Sequence, residues 1–521
     1  MADFTKLNGY TVKDPQAVHT YDTVADLKAD TKLKAGNHVQ TKGYTAVNDG
    51  GKASYVIVDD NTLVQDDGTV HDIVNGLKAV LLIGESVTPE MFGAIGDGVH
   101  DDTIALQKAF DQDASIKCKA KQIYLCSNTI NLNKRKCIDF SLSTIKFTNN
   151  GVGLNINMEN SSTYSHLRFA PIIENMILDG EDTTKVMYID YAYKSVFKNI
   201  YINNFKNVGM EKNRGYELVI DNIFFWASNQ NTTSIGLLVT GNDCEFGNIF
   251  GINCHTGVKM IGGGNHFKNI HMWLFNDTQD NGMLDGDALY QGSAMIEIAG
   301  NDRYFIDYAY FDSYQYGFKY SGYGFVKLNS GFMYCPELSA LTENYTTTPI
   351  YFIYAESPQI DYLYRFCINN LVYALSTGNT VTAKMIPDGY SKKPIRVINS
   401  TIPYDINNLR TNYINQFTFE YCTNVNVSAT PIGDDKLLIK GILKKDSDNS
   451  HGWRITPNDS AYTPITVNEV ISGIKDTSQY FTGTPTPYAY NLANANASEL
   501  GYTTPDDYYR VEYILKINYS N

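Results

Sequence analysis

The chain has 521 residues, of which 43% are hydrophobic and only 19% are charged, a balance that excludes intrinsic disorder. Its 56 acidic and 42 basic side chains give a formal net charge of -14, without the clusters of Lys and Arg that nucleic acids or anionic membrane surfaces require. No apolar run reaches the roughly 18 residues of a membrane-spanning helix, so we expect neither a nucleic-acid nor a membrane partner.

Length and composition also limit the architecture. A single core stops growing at roughly 250–300 residues, so the chain needs several domains or an elongated repeat. The 39 Tyr and 24 Phe favour β-sheet. The eight cysteines form no Cys-x-x-Cys pair, which predicts reduced thiols and no zinc site. The first residues carry no secretion signal, so we expect synthesis in a host cytoplasm.

Residues 1–90 are predicted to form a small α+β head module. A short helical pattern around Leu27 precedes two alternating stretches, residues 36–44 and 53–58. The segment Asn48-Asp49-Gly50-Gly51 between them is typical of a hairpin turn. We interpret the module as an attachment segment.

A glycine-rich turn at Phe92–Gly98 opens the next unit. It is followed by Asp101 and Asp102 and then by a helical pattern over Thr103–Phe110. Paired aspartates are candidates for catalysis, but carboxylates at this position are better explained as the N-cap of the helix.

Beyond about residue 120, a polar anchor recurs, an Asn or Asp that precedes an apolar pair. Successive anchors are 24, 23, 26, 21, 38 and 22 residues apart, and a recurrent step of 21–26 residues is typical of a solenoid. Stacked coils would bring the anchors into register, where their side chains can hydrogen-bond as a ladder. The anchors are Asn175, Asn199, Asn222, Asn248, Asn269, Asp307 and Asn329.

Apolar residues follow strand periodicity around most of the anchors, two positions before and one and three positions after. The predicted fold class is therefore all-β, with a parallel β-helix body over residues 91–411 whose coils are about 4.8 Å apart. Residues 412–521 lose the repeat but keep strong strand patterns, which predicts a C-terminal β-sandwich-like domain for trimerisation or carbohydrate binding. The apolar positions assigned to the anchors Asn269 and Asp307 are Phe267, Ile270, Met272, Phe305, Tyr308 and Tyr310.

The segment Phe92–Thr103 resembles the motif that begins the β-helix of phage tailspike and pectate-lyase-like proteins, and residues 33–51 resemble the head module that precedes it in many tail proteins. The resemblance covers residues 23–110 and extends loosely to about 405. It implies a right-handed β-helix in a homotrimeric, SDS-resistant spike of the virion, joined to a tail or baseplate protein through the head. Such spikes bind, and often cleave, a bacterial cell-surface polysaccharide. The resemblance carries over no catalytic residue, because the family includes hydrolases, lyases and binding proteins.

Glycoside hydrolysis usually needs two carboxylates, roughly 5–5.5 Å apart for retention and 6.5–9.5 Å for inversion. In stacked coils these distances separate matching positions one or two coils apart. Asp243 and Asp302 lie five positions before their anchors, while Glu245 and His266 lie three positions before theirs on adjacent coils. They are candidate site residues, and the alternative is that they satisfy turn amides.

The long step between residues 269 and 307 predicts an acidic, glycine-rich insertion of roughly fifteen residues, and long insertions tend to be functional. Strand alternation directs His271 and Trp273, immediately before it, outward, and Trp226 has the same offset from its own anchor. Outward tryptophans can stack on sugar rings, or pack under a loop or at a trimer interface. The insertion is preferred to the corner residues as the catalytic site. Its candidate catalytic acids are Asp277, Asp285 and Asp287.

The sequence predicts no cofactor, although Asp285-Gly-Asp287 is a weak candidate for Ca²⁺. A lyase would need a base with cationic help, and only Arg303, Lys268 and His266 are available near the groove. With a net charge of -14, hydrolysis of a neutral or zwitterionic glycan is favoured over elimination. A teichoic-acid phosphodiesterase, a non-catalytic receptor-binding adhesin and a spike that binds sugar only through its C-terminal domain remain open.

Overall fold

A computed structural model gives the fold of the chain. The chain divides into two compact units, residues 1–228 and 229–521. Among the described residues, no helix is long and apolar enough to span a bilayer. Beyond a few isolated strands described by their backbone alone, the described residues are 19–158, 170–180, 183–228, 232–274, 291–322, 324–335 and 350–355.

The first unit begins with a five-stranded sheet in the order β3-β4-β5-β7-β6. The strands β4 and β5 pair antiparallel, as the alternating pattern predicts. Thr23 and Asp26 form a capping box that starts the helix α1. A role for this sheet as an attachment head stays a prediction. The elements are β1 (Lys6–Leu7), β2 (Tyr10–Thr11), β3 (His19–Tyr21), α1 (Val24–Lys28), β4 (His38–Thr41), β5 (Ala53–Val58), β6 (Val70–Asp72) and β7 (Lys78–Leu81).

The two aspartates that precede α2, Asp101 and Asp102, accept hydrogen bonds from different backbone N–H groups. Asp102 occupies the N-cap position without a side-chain capping bond, and Asp101 accepts a hydrogen bond from the backbone N–H of Thr103, the first helical residue, at 3.0 Å. Asp102 is buried and instead accepts from the N–H groups of Ile95 and Gly96, which closes the glycine-rich turn. The elements here are β8 (Ser86–Val87), a 3₁₀ helix (Pro89–Phe92), β9 (Asp97–Asp101), α2 (Thr103–Phe110), β10 (Ser115–Lys117) and β11 (Ile123–Cys126).

Parallel coils make up the rest of the first unit. Two ladders alternate along the chain, β13-β15-β17-β19 and β12-β14-β16-β18, and every pairing between neighbours is parallel. This confirms the predicted parallel β-helix. The strands are β12 (Ile130–Leu132), β13 (Ile138–Phe147), β14 (Val152–Asn157), β15 (Ile172–Asp179), β16 (Lys185–Tyr191), β17 (Val196–Phe205), β18 (Val208–Arg214) and β19 (Val219–Ala227).

The predicted asparagine ladder is present in the first unit. The side-chain amide of Asn199 donates to Asn175 at 3.0 Å, and that of Asn222 donates to Asn199 at 2.7 Å. All three residues have φ between 53° and 57°, the left-handed conformation that Asn tolerates better than most residues. The ladder therefore supports a repeated corner in the backbone.

The second unit continues with two parallel ladders, β21-β23-β25-β27-β29-β32-β33 and β20-β22-β24-β26-β28-β31. The strand β33 pairs in parallel with β32, so the ladder extends past residue 411, and the predicted domain boundary there stays a prediction. The strands are β20 (Ile235–Val239), β21 (Glu245–Ile252), β22 (Thr256–Met260), β23 (Asn265–Trp273), β24 (Ala294–Ile298), β25 (Arg303–Asp312), β26 (Tyr316–Tyr320), β27 (Phe325–Cys335), β28 (Ile350–Ala355), β29 (Phe366–Asn369), β30 (Leu371–Leu375), β31 (Ala383–Lys384), β32 (Ile395–Ile398) and β33 (Phe417–Glu420).

One predicted register in the second unit is wrong by one residue. Asn269 pairs with Tyr308 and not with Asp307, because the long insertion hides the true step. A shift of one residue exchanges the two faces of a strand. Ile306, Ala309 and Phe311 therefore fill the core of β25, at 0%, 0% and 1% exposure. The outward side of β25 carries Phe305, Tyr308 and Tyr310. The sequence pattern predicts these three residues on the apolar side, and that prediction is wrong.

The C-terminal strands form a five-stranded antiparallel sheet in the order β34-β35-β38-β36-β37. The change from parallel to antiparallel pairing agrees with the loss of the repeat in the sequence. A sandwich needs a second sheet, so the predicted β-sandwich-like domain stays a prediction. The strands are β34 (Val427–Pro431), β35 (Lys436–Lys444), β36 (Ile465–Lys475), β37 (Tyr480–Gly483) and β38 (Tyr508–Tyr519).

Candidate functional site

The outward side of β21, β23, β25 and β27 in the second unit carries most of the described candidate residues, and we call it the outer face. Each strand of this face turns at least one charged side chain outward before its anchor position and at least one aromatic ring outward after it. The inward positions are apolar, as in the stacked pair Phe246 and Phe267, whose ring centroids are 4.4 Å apart. The rigid interior therefore fixes the spacing of the outward side chains.

A carboxylate–imidazole cluster of Glu245, His266 and Asp307 crosses the polar half of the outer face. Glu245 and His266 are direct partners in the register, as their matching offsets predict. Nδ1 of His266 lies 3.0 Å from Oε2 of Glu245, and Nε2 lies 2.8 Å from Oδ2 of Asp307. All three side chains are between 31% and 50% exposed. The cluster is thus ordered and accessible to a ligand.

The two carboxylates of this cluster differ in their hydrogen bonds. Oδ1 of Asp307 accepts from the side-chain amide of Asn329 at 2.8 Å, so both oxygens of Asp307 are engaged. Oε1 of Glu245 has no hydrogen-bond partner among the residues that the structure describes. Oε1 of Glu245 is therefore available to a ligand, whereas both oxygens of Asp307 already accept hydrogen bonds.

An aromatic strip occupies the other half of the outer face. The rings of His271 and Tyr310 are stacked with centroids 4.2 Å apart and planes 10° apart. The ring centroids of Trp273 and His271 are 5.1 Å apart, and Phe332 packs edge-on against Tyr310 with ring centroids 5.0 Å apart. His271 and Trp273 face outward, as strand alternation predicts. A partly exposed aromatic surface of this kind can take the apolar face of a sugar ring.

Burial shifts the pKa values of two groups, His271 and Asp312, toward each other at the end of the aromatic strip. Burial lowers the pKa of His271, and the nearby charge of Asp312 opposes this effect. Burial also raises the pKa of Asp312, against a hydrogen bond from the hydroxyl of Ser313 at 2.7 Å. Asp312 is the register partner of Trp273. A carboxyl group with a raised pKa beside an aromatic surface is suited to donate a proton.

The corner residues Asp243 and Asp302 lie on either side of Gly263 and Gly264. A Cβ atom on Gly264 would collide with Oδ1 of Asp243, and one on Gly263 would collide with the side chain of Asp302. The two glycines therefore leave the space that the carboxylates occupy. Oδ1 of Asp302 accepts from the backbone N–H of Arg303 at 2.8 Å, as the turn alternative predicts. The described contacts bring neither aspartate to His266.

Two further candidates have exposed side chains on strands. Arg303 begins β25 on the outer face. Trp226 lies in the first unit on β19, where it is 47% exposed and pairs in register with Asn203. It faces outward as expected, and its role in sugar binding stays a prediction.

The preferred catalytic candidates Asp277, Asp285 and Asp287 lie outside the described residues, as does the proposed Ca²⁺ site. Among the residues that are described, no group of three or more His, Cys, Asp or Glu side chains has the arrangement of a metal site.

Sequence reasoning missed Asp307, Tyr310 and Asp312 as site residues. Asp307 was assigned to the ladder, and Tyr310 was assigned to the apolar side of its strand. The alternation Asp307-x-x-Tyr310-x-Asp312 on a strand opposite His271 and Trp273 was the available signal. It could not be used without the correct register.

No protein-family profile and no curated protein sequence matches the chain. Among solved structures, the enzymatically active domain of tailspike protein 2 from bacteriophage CBA120 is similar, with a TM-score of 0.50 and 12% identity over 96% of this chain and 87% of that one. The full-length tailspike protein 2 from the Escherichia coli O157:H7 phage has a TM-score of 0.47 and 13% identity over 88% of this chain, which spans only 64% of that protein. The tailspike gp49 of Acinetobacter baumannii bacteriophage Fri1, a capsular polysaccharide depolymerase, has a TM-score of 0.37 and 11% identity over 96% of this chain and 97% of that one. The chain therefore has the parallel β-helix fold of phage tailspikes.

Proposed function

We propose that the protein is a phage tail spike that binds and hydrolyses a bacterial surface polysaccharide. The observation that carries the proposal is the outer face, where the carboxylate–imidazole cluster and the aromatic strip lie on the same strands. Aromatic rings supply a stacking surface for sugars, and paired carboxylates supply the acid and the base for glycosidic cleavage. The fold shared with an enzymatically active tailspike domain supports the proposal.

In this proposal Glu245 protonates the leaving oxygen and Asp307 activates water. The assignment follows from their hydrogen bonds, since only Glu245 has an oxygen without a partner among the described residues. The two contacts to His266 and the width of its ring set the engaged oxygens no more than about 8 Å apart, an upper limit that includes the separations for both retention and inversion. His266 acts as a positioning residue that holds both carboxylates.

Elimination is the second candidate reaction, because His266 lies near the cations Lys268 and Arg303, as a lyase would require. The same contacts count against it. Both ring nitrogens of His266 are already within 3.0 Å of a carboxylate oxygen, so neither is directed at a substrate. Hydrolysis is therefore the reaction that we favour.

The proposal extends to assembly and attachment: the spike is a homotrimer in the virion, and its head binds a tail or baseplate protein. In the first unit, the apolar side chains of Tyr201, Val219 and Trp226 are 38%, 40% and 47% exposed, and another copy of the chain would cover them.

The test is incubation with extracted surface polysaccharides of candidate host bacteria, followed by product size, reducing ends and the ultraviolet absorbance of unsaturated products. New reducing ends without that absorbance are expected from hydrolysis. Products that absorb would establish elimination instead. Binding without any product would show that the protein is an adhesin and overturn the catalytic part of the proposal.

A further inference from the structure

Three cations lie on adjacent strands of the outer face. Lys268 on β23, Arg303 on β25 and Lys327 on β27 are exposed. Among the residues that the structure describes, no carboxylate lies within ion-pair distance of any of them. We call these residues the cation triplet.

Some other outward cations of the helix are neutralised across neighbouring strands. Lys198 pairs with Glu174 at 3.0 Å in the first unit, and Lys259 pairs with Glu297 at 2.9 Å in the second. Such pairing is expected in a chain with a net charge of -14. The cation triplet lacks such cross-strand ion pairs among the described residues, on three adjacent strands.

Register places the triplet around the carboxylate–imidazole cluster. Lys268 lies opposite Asp307, because Phe267 and Asn269 on either side of it pair with Ile306 and Tyr308. Lys327 pairs with Phe305, which in turn pairs with His266. Adjacent strands are about 4.8 Å apart, so Lys327 lies about 10 Å from His266 along the ladder. At this distance Lys327 can contact a sugar next to the one that binds at His266 in the same polysaccharide.

The acids of the cluster make their ion-pair contacts elsewhere. Glu245 and Asp307 each contact the imidazole of His266 and neither lies within ion-pair distance of a cation of the triplet. The long side chains of the triplet are thus available to a ligand, and Lys and Arg are the residues that bind carboxylate and phosphate groups through charge-assisted hydrogen bonds.

We propose that the cation triplet selects a polysaccharide whose repeating unit carries a carboxylate or a phosphate. The inference rests on the proposed function and specifies its substrate class. It departs from the neutral or zwitterionic glycan expected from net charge, because the exposed ammonium and guanidinium groups of the triplet can contact an anionic ligand directly, whereas Glu245 and Asp307 contact His266.

The test uses purified bacterial polysaccharides, some neutral, some bearing uronic acids and some bearing phosphate. Binding and cleavage are measured for the full chain and for the triple variant Lys268→Gln/Arg303→Gln/Lys327→Gln. The variant Lys259→Gln, which removes a paired cation, is the matched control. Each anionic polysaccharide is also tested after carbodiimide reduction of its carboxyl groups or removal of its phosphate with hydrofluoric acid, which distinguishes the two sources of charge.

We expect the full chain to bind an anionic polysaccharide with an affinity that falls as salt rises, and the triple variant to bind it at least about tenfold more weakly. Lys259→Gln should bind normally, and neutralising the ligand should remove the difference between the proteins. Equal binding of the parent and neutralised ligands, or unchanged affinity of the triple variant, would overturn the inference and leave the proposed function standing. A protein that binds no member of the panel would contradict both.

Discussion

Nε2 of His266 lies 2.8 Å from Oδ2 of Asp307, although the two residues are 41 positions apart in the sequence. The contact is possible because His266 pairs in register with Phe305, so that Asp307 is the next outward residue along the adjacent strand. The same imidazole contacts Glu245 on the strand on its other side. Three coils therefore contribute one side chain each to a single cluster.

The first prediction concerns the two carboxylates of that cluster. Glu245→Gln and Asp307→Asn should each lower kcat on a cleaved polysaccharide by about 10²-fold or more, because each removes one partner of acid–base catalysis. Reducing-end assays on folded variants measure this. Asp243→Asn is the matched control at the corner and should keep near-normal activity. Loss of activity only in Asp285→Asn/Asp287→Asn would instead place catalysis in the insertion.

The second prediction concerns the aromatic strip. Tyr310→Ala and Trp273→Ala should raise KM by about tenfold with a smaller change in kcat, because stacking positions the sugar without taking part in proton transfer. Steady-state kinetics on defined oligosaccharides separates the two parameters. An unchanged KM in both variants would show that the strip does not bind substrate.

The third prediction concerns the asparagine ladder. Asn199→Ala should lower the free energy of unfolding of the first unit by about 2–4 kcal/mol, because it removes two hydrogen bonds and places Ala in the left-handed region. Asn199→Gly should cost less, since glycine tolerates φ of 55°. Urea unfolding measures both, with Lys198→Ala as a neighbouring surface control. Equal losses in the two ladder variants would refute the contribution of backbone strain.

The fourth prediction concerns pH and the head sheet. His71 is fully buried between Tyr44 and Tyr55, and neither ring nitrogen has a hydrogen-bond partner within the part of the chain that the structure describes. Burial lowers its pKa below the ordinary value of about 6.5, and the charge of Lys28 adds to the effect. The folded sheet thus binds fewer protons than the unfolded chain, so its stability is present above about pH 6.5 and is lost as pH falls through the folded pKa, by at most about 1.4 kcal/mol per pH unit.

Hydrogen exchange of β5 and β7 amides between pH 7 and pH 5 measures this change. His71→Phe should flatten the profile, whereas the exposed-site control His38→Gln should keep it. A profile unchanged by His71→Phe would assign the effect to another group.

The fifth prediction concerns assembly. The purified chain should show three times its single-chain mass in light scattering, because its exposed apolar side chains need a partner surface. Trp226→Glu should weaken that assembly more than Lys198→Glu, since only the first change replaces an exposed apolar side chain with a charged one. A monomeric wild type would contradict the trimer.

The sequence alone predicted the parallel β-helix and the outward direction of His271, Trp273 and Trp226. These features depend on local rules, the alternation of side chains along a strand and the step between polar corners, which short stretches of sequence record. Glu245 and His266 were also matched correctly, because only 21 residues separate them and no insertion intervenes.

Tertiary structure decided where β25 pairs. The insertion before it hides the repeat length, and an error of one residue moved Tyr310 and its neighbours to the wrong face. Only the register of β23 with β25 brought Asp307 to His266 and Tyr310 to His271, and it also gathered Lys268, Arg303 and Lys327 on one surface. Composition reports the net charge of the chain, but a ligand responds to the charges within a Debye length, and those are set by how the coils stack.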